Sequence, residues 1–478
     1  MISGMANIIL CVSWASLLGL LIRGASPPPS ADGPDLSQPG PHQAAWTEVT
    51  VRRPDNSTFK AVLYYPATSP GAGGTYDPSA APYPAISFGH GFLQAVEQYQ
   101  STLSHLATWG YFVIASRSQG GLFPSHAAFA ADMRLCLTYL ESENANAGSW
   151  LFQQVDVDHF GMSGHSMGGG ASILATAADP RVKALANLAA AETNPSAISA
   201  MQNVTVPVSL IAGSQDTIVP PANNGQLMYN NARAPRQLPI ILGGYHCGFI
   251  DQDYIFCDQG SISRPVQLAL TRRTLTAFFN LYLKLDQSVW RQVWGPEFLN
   301  DPAFDNTQVD AGVELLPKQV ELSGIGGRPI ALDLTVRNTG PAADHFTLFI
   351  EDNLWPTHVD PPQTPLLEPG MTAMVRLTVD VPPAGGPNTD RALVSVRAGR
   401  DGATRAFALI STKRRLLGDL NCDGNLDFRD INPFVLAVSN AAGYAAAYPD
   451  CDRNLADINQ DGRVDFGDIN PFVRLLTQ

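Results

Sequence analysis

Residues 159–170 read His159-Phe160-Gly161-Met162-Ser163-Gly164-His165-Ser166-Met167-Gly168-Gly169-Gly170, and this stretch decides the fold. Its first five residues form a strand candidate, and the small residues from Gly168 open a helix candidate that runs to about residue 178. Between them, Gly164-His165-Ser166-Met167-Gly168 fits the pattern G-x-S-x-G. Only small flanking residues let a strand turn sharply enough into a helix to lift a serine hydroxyl above the edge of a sheet. The pentapeptide occurs by chance elsewhere, but here the strand-turn-helix context accompanies it. Ser166 is therefore the candidate nucleophile.

Outward from this turn, short apolar runs alternate with longer helical patterns across residues 45–300. Strand candidates fall at 47–53, 61–65, 85–88, 112–115, 159–163, 184–189, 206–212 and 238–242, and helix candidates at 96–109, 128–143, 168–178 and 265–285. This alternation predicts a doubly wound, open and mostly parallel sheet with helices on both faces.

A serine hydroxyl is a weak nucleophile until a base takes its proton, and that base needs a carboxylate to orient it. In a sheet of this kind the chain order is serine, acid, histidine. Asp216 follows the strand at 206–212 within Gly213-Ser214-Gln215-Asp216, and His246 follows the strand at 238–242 within Gly243-Gly244-Tyr245-His246. Both lie at strand exits, where ligand-facing residues collect. Asp251 and Asp253 remain alternatives for the acid. His165 shares the tight turn with Ser166, and His42, His90, His105, His126 and His159 precede the serine, so none of them suits the base. Negative charge developing on a carbonyl oxygen needs backbone N–H donors. Met167 supplies one; the loop Gly89-His90-Gly91-Phe92 after the strand at 85–88 supplies the other, assigned by position to Phe92.

Taken with Tyr99, His105-Leu106-Ala107-Thr108-Trp109-Gly110-Tyr111 and Gly244-Tyr245-His246-Cys247, these motifs resemble the α/β-hydrolase branch of chlorophyllases, dienelactone hydrolases and cutinase-like polyester hydrolases. The resemblance covers about residues 45–295 and implies carboxylic-ester hydrolysis with no cofactor for catalysis. Where polyester hydrolases typically carry a Trp between nucleophile and acid, this chain reads Ala189-Ala190-Ala191-Glu192-Thr193-Asn194. That departure implies an ester of small or medium size rather than a polymer.

After residue 305 the pattern changes to short β-rich runs at 313–316, 330–337, 346–350, 374–381 and 393–397, punctuated by Gly, Pro and Asn. Residues 305–412 are expected to form an all-β sandwich. The segment resembles the immunoglobulin-like spacer modules of bacterial exported enzymes and offers no catalytic constellation.

The chain closes on a duplication. Asp427-Phe428-Arg429-Asp430-Ile431-Asn432-Pro433-Phe434-Val435 returns as Asp465-Phe466-Gly467-Asp468-Ile469-Asn470-Pro471-Phe472-Val473. Each copy ends a loop of mostly oxygen-bearing residues: Asp419, Asn421, Asp423, Asn425, Asp427 and Asp430, then Asp457, Asn459, Asp461, Asp465 and Asp468, with Arg463 at the seventh position of the second. With Gly424 and Gly462 at the sixth position, the spacing suits two Ca²⁺ ions, the seventh residue contributing its backbone carbonyl. The twelfth residue is Asp where an EF-hand usually has Glu, and no clear helix precedes either loop. Residues 416–478 thereby resemble the type I dockerin, which implies a cohesin-type protein partner outside the cell.

The 478 residues carry 30 basic and 43 acidic side chains, a formal charge of −13. Such a balance argues against nucleic acid as a partner. Residues 419–478 hold ten Asp and four Arg, so a net −6 of that charge belongs to the calcium loops. Residues 1–22 carry no charge and an apolar run, and 1–25 read as a signal peptide, followed by a Pro- and Ser-rich disordered leader over 26–44. An uncleaved membrane anchor is the alternative, and Arg23 after the run would then favour keeping the remainder inside. Export with cleavage agrees better with the calcium loops and with the cysteines, which fall in two local pairs, Cys247 with Cys257 and Cys422 with Cys451, as disulfide candidates. A secreted, membrane-free serine ester hydrolase is the leading expectation. Two others stand beside it: a non-catalytic or carbohydrate-binding component of an exported assembly, and an amide or peptide hydrolase using the same triad.

Overall fold

The computed structural model describes residues 34–383 and 386–477; the expected signal peptide, 1–25, lies outside them. Ten strands build the first sheet: β1 (Gln43–Arg52), β2 (Thr58–Ala67), β3 (Gly71–Ala72), β4 (Tyr83–Gly89), β5 (Phe112–Ser116), β6 (Val155–His165), β7 (Val182–Leu188), β8 (Val208–Gly213), β9 (Arg236–Ile241) and β10 (Phe304–Asp310). Their order is β10-β9-β8-β7-β6-β4-β5-β2-β1-β3. The six strands from β5 across to β9 run parallel, flanked by antiparallel β2 and β10.

Alternating side chains explain the two covered faces. Ala85 of β4 and Phe112 and Ile114 of β5 enter one core with Phe129, Met133 and Leu137. Their neighbours Ile86, Val113 and Ala115 enter the other with Leu103, Leu106, Leu275 and Phe278. The helices are α1 (Gln100–Thr108), α2 (His126–Ala145), α3 (Met167–Ala177), α4 (Ala197–Ala200), α5 (Gly225–Asn231), α6 (Arg264–Leu283) and α7 (Pro296–Leu299). Helices α2 and α3 pack side by side on the first face, α1 and α6 on the second. Strand β4 lies between β5 and β6, so chain direction across the sheet reverses there. A ligand crevice belongs at the carboxyl ends of strands beside such a reversal.

Two expected boundaries move. The leader over 26–44 was expected to be disordered, yet Leu36 is fully buried, its carbonyl oxygen lies 3.1 Å from His105 Nε2, and Gly40 N–H donates to Thr108 Oγ1. Leu36 has an apolar slot to fill against α1 and α6, which overrides the polar composition around it. The catalytic segment was expected to end at 300, but β10 pairs with β9 and carries the sheet to Asp310. Its sequence Phe-Asp-Asn-Thr-Gln-Val-Asp is too polar to read as a strand, and an edge position tolerates that.

Strands β11 (Val313–Leu316), β12 (Gln319–Ile325), β13 (Pro329–Asn338), β14 (Phe346–Glu351), β15 (Thr357–Asp360), β16 (Thr372–Asp380), β17 (Thr389–Ala398) and β18 (Arg405–Arg415) form two four-stranded sheets, β11-β13-β16-β15 and β12-β18-β17-β14. Leu334, Val336, Val375, Leu377, Val394, Val396 and Ile410 share one core. This β unit packs against the second covered face of the first sheet. Leu393 and Ala403 join the second core, the Arg405 guanidinium lies 4.8 Å over the Trp290 ring, and Arg291 Nη1 donates to Asp352 at 2.7 Å.

The tail contains α8 (Ile431–Ser439), α9 (Ala441–Ala447) and α10 (Ile469–Leu476). The duplicated Phe434 and Phe472 stack at 3.9 Å with rings 6° apart, so the repeat meets itself. Cys422 and Cys451 are joined by a disulfide across the copies, and Cys247 and Cys257 by another beside His246. Among the described residues no helix is long and apolar enough to cross a membrane.

Candidate active site

Strand β6 runs straight into α3 through Ser166, whose backbone sits at φ 55°, ψ −121°. A non-glycine residue there stores about 1–3 kcal/mol of strain, retained only where the surroundings over-determine it. Those surroundings are glycines in contact. A Cβ on Gly168 would fall 2.1 Å from the Gly89 carbonyl oxygen, and one on Gly164 would fall 2.3 Å from that of Gly168. The turn is further held by Ser166 N–H to the Leu188 carbonyl at 3.0 Å, and by Gly170 and Ala191 N–H groups donating to the Ser166 carbonyl. Ser166 itself remains 8 % exposed.

Asp216 and His246 come together as the order along the chain requires. His246 Nδ1 lies 2.8 Å from Asp216 Oδ2, with Asp216 4 % and His246 1 % exposed. The other Asp216 oxygen accepts from Ile218 and Val219 N–H at 3.0 and 2.7 Å. Nδ1 facing a carboxylate carries the proton, so Nε2 is left as the basic nitrogen. The alternative acids are committed elsewhere: Asp251 accepts from Ser101 N–H at the start of α1, and Asp253 pairs with Arg264.

The loop after β4 faces the same edge of the sheet. Gly91 N–H donates to the Tyr99 hydroxyl at 3.0 Å, which leaves Phe92 as the next N–H along the loop. Met167 is the first residue of α3, where backbone N–H groups have no partner inside the helix. Phe92 is 42 % exposed.

Sequence reasoning passed over the network beneath this loop. The fully buried Tyr99 hydroxyl meets Gln94 Oε1 and lies 2.8 Å from His165 Nδ1, so it ties the β4 loop to the residue preceding Ser166. His165 then packs its ring 4.4 Å from that of His246. Burial, and next the neighbouring His246 charge, push the His165 imidazole well below its ordinary pKa, so it stays neutral beside His246. Replacing Tyr99 by Phe strips the acceptor from a buried N–H, a cost of about 1–3 kcal/mol. The Tyr99→Phe enzyme is expected to lose about tenfold in kcat with KM nearly unchanged, read from steady-state rates on a soluble ester.

The duplicated loops are laid out alike. Gly424 and Gly462 take φ of 85° and 84°, and their N–H groups donate to Asp419 Oδ2 and Asp457 Oδ2 at 3.0 Å. Asp430 and Asp468 are fully buried, and both oxygens of each accept backbone N–H groups. Asp423, Asp427, Asp461 and Asp465 likewise accept from backbone donors. Among the described residues, no three His, Cys, Asp or Glu side chains converge as a coordination group. Among the described residues, however, Asp419 Oδ1 is buried with no hydrogen-bond partner, and burial pushes that carboxyl up to about 6. A carboxylate so placed is stabilised by a cation. The donor set, all oxygen, and the left-handed glycines fit a hard divalent ion.

Residues 33–252 match the family model described as PETase, PET hydrolase-like. Over 149 residues the chain is 26 % identical to "Cutinase est1" of Thermobifida alba, an alignment covering 31 % of this chain and 48 % of that protein. The chain thus spans about half the length of the curated relative it matches.

Proposed function

We propose that this protein is a secreted serine hydrolase of carboxylic esters, with Ser166, His246 and Asp216 as its triad. The observation that carries the reading is the Asp216–His246 hydrogen bond of 2.8 Å at the sheet edge where Ser166 occupies its strained turn. The similarity of residues 33–252 to PET hydrolases, and of part of the chain to a cutinase, supports the ester as the bond cleaved.

In this reading Ser166 Oγ attacks the ester carbonyl as His246 Nε2 takes its proton. The oxyanion is met by the N–H groups of Phe92 and Met167. The tetrahedral intermediate collapses, the alcohol leaves with the proton from Nε2, and an acyl-enzyme remains. Water, deprotonated by the same nitrogen, then releases the acid and restores the serine. Asp216 holds the imidazole tautomer throughout and stabilises the imidazolium. Exposed Phe92, Leu122, Phe123 and Ile218 follow strands of the same edge, which favours an apolar ester, and the Trp-less stretch 189–194 favours one of small or medium size.

A panel of nitrophenyl esters, matched anilides and polyester film tests the reading. Ester turnover exceeding anilide turnover by at least about a thousandfold is expected, together with labelling of Ser166 by a fluorophosphonate. Equal rates on both bonds would favour an amide hydrolase, and absence of labelling would return the domain to a binding role.

The tail is proposed to bind two Ca²⁺ ions and to dock onto a cohesin-type partner. Asp419, Asn421, Asp423, Asp427 and Asp430 with the Asn425 carbonyl would hold one ion, and Asp457, Asn459, Asp461, Asp465 and Asp468 with the Arg463 carbonyl the other. Two disulfides, Cys247–Cys257 and Cys422–Cys451, support an oxidising compartment outside the cell.

A further inference from the structure

The proposed acid and base stand on separate loops, Asp216 after β8 and His246 after β9. Near the strand ends these loops are tied by Gln215 N–H to the Gly244 carbonyl and by Gly243 N–H to Ser214 Oγ, both at 2.8 Å. Farther out, beside the Asp216–His246 hydrogen bond, a second carboxylate spans the gap. Asp258 Oδ2 accepts from the N–H of His246 at 3.0 Å and of Thr217 at 3.2 Å, while Oδ1 accepts from Cys247 N–H at 3.0 Å. One side chain therefore grips the backbone of the base, the residue after it, and the residue after the acid.

Asp258 directly follows Cys257, whose disulfide to Cys247 closes the loop over a separation of ten residues. The tip of that loop carries Ile255 and Phe256 largely in solvent, while Tyr254 and Cys257 on either side pack against the second core. The covalent bond joins Cys257 to the residue after His246, and so helps to set where the carboxylate arrives. An orienting hydrogen bond works only while donor and acceptor keep their geometry, and small misplacements of reacting groups are costly in rate.

Resting on the triad reading above, we infer that Asp258 is a positioning residue for the triad and that the Cys247–Cys257 disulfide acts on catalysis through it. Asp258→Asn keeps the size but turns an amide NH₂ toward backbone donors. The experiment measures kcat and KM on a soluble ester for Asp258→Asn, for Cys247→Ser/Cys257→Ser, and for the triple variant. It adds the far-downfield proton resonance of His246 Nδ1–H. Asp258→Asn is expected to lower kcat about 10- to 100-fold with KM within about twofold, and to broaden or abolish the resonance. The cysteine pair should lower kcat as well, and the triple variant should be no slower than Asp258→Asn alone, because both changes release one clamp. Asp258→Glu, which keeps two acceptor oxygens, should recover most of the rate and guards against a simple folding defect. An unchanged kcat and resonance in folded Asp258→Asn, a Glu variant no better than Asn, or multiplicative losses in the triple variant would each overturn the proposal. If wild type itself fails to label at Ser166, the triad reading falls instead.

Discussion

Ser166→Ala is expected to lower kcat on a soluble nitrophenyl ester by about 10⁵- to 10⁶-fold, leaving only what the oxyanion donors and binding supply. The affinity for a non-hydrolysable ester analogue should stay within about twofold, because the hydroxyl contributes to the transition state rather than to ground-state binding. Folding should be little changed. Alanine at 166 inherits the left-handed φ of 55° and its strain, and it loses a side chain for which the turn's own backbone hydrogen bonds are not needed. His246→Ala should cost a comparable factor, and the double variant no more than either, since nucleophile and base act as one unit. Ester turnover at the wild-type rate in folded Ser166→Ala would place the chemistry elsewhere in the chain.

What could be read from the sequence follows how local each signal is. Ser166 sits inside a five-residue pattern whose glycines have a steric reason, and the strands at 85–88 and 112–115 announce themselves by length and apolar content. Asp216 and His246 are placed by order and by strand exits, yet order alone could not separate Asp216 from Asp251 or Asp253. The hydrogen bonds that give Asp251 to Ser101 and Asp253 to Arg264 favour Asp216 as the proposed acid. Tyr99 is legible only as part of the family resemblance, and Asp258 carries no local signature. Each reaches a distant partner, His165 at 66 residues and Thr217 at 41, and a tyrosine before a helix or an aspartate in a loop has many ordinary uses. Leu36 and β10 were misread for the opposite reason: local composition was polar, and a distant apolar slot or an open sheet edge decided.

Calcium removal is expected to produce the second large effect, and to produce it in the tail alone. The seven fully buried apolar residues of that unit, Leu420, Phe434, Ala437, Tyr444, Leu455, Ala456 and Phe472, make a small core for about 60 residues, and units of that size commonly depend on a staple. The Cys422–Cys451 disulfide is one, with a chain-entropy value of roughly 3–4 kcal/mol for a loop of about 30 residues. In the proposed calcium reading, ligation supplies the rest. Ten Asp against four Arg in residues 419–478 repel one another until a divalent ion enters, and the partnerless Asp419 Oδ1 has most to gain. Calorimetry on the full chain should then resolve a tail transition that rises with Ca²⁺, by about 2.7 kcal/mol per site at a hundredfold excess over Kd, and collapses with chelator. Titration should show two equivalents, falling to one in Asp419→Ala and to one in Asp457→Ala. Esterase rates should be unaffected by chelation, because no residue of the triad or of the proposed oxyanion donors belongs to the loops. A chain that takes up no Ca²⁺, and whose melting ignores chelator, would sink the metal reading while leaving the hydrolase reading intact.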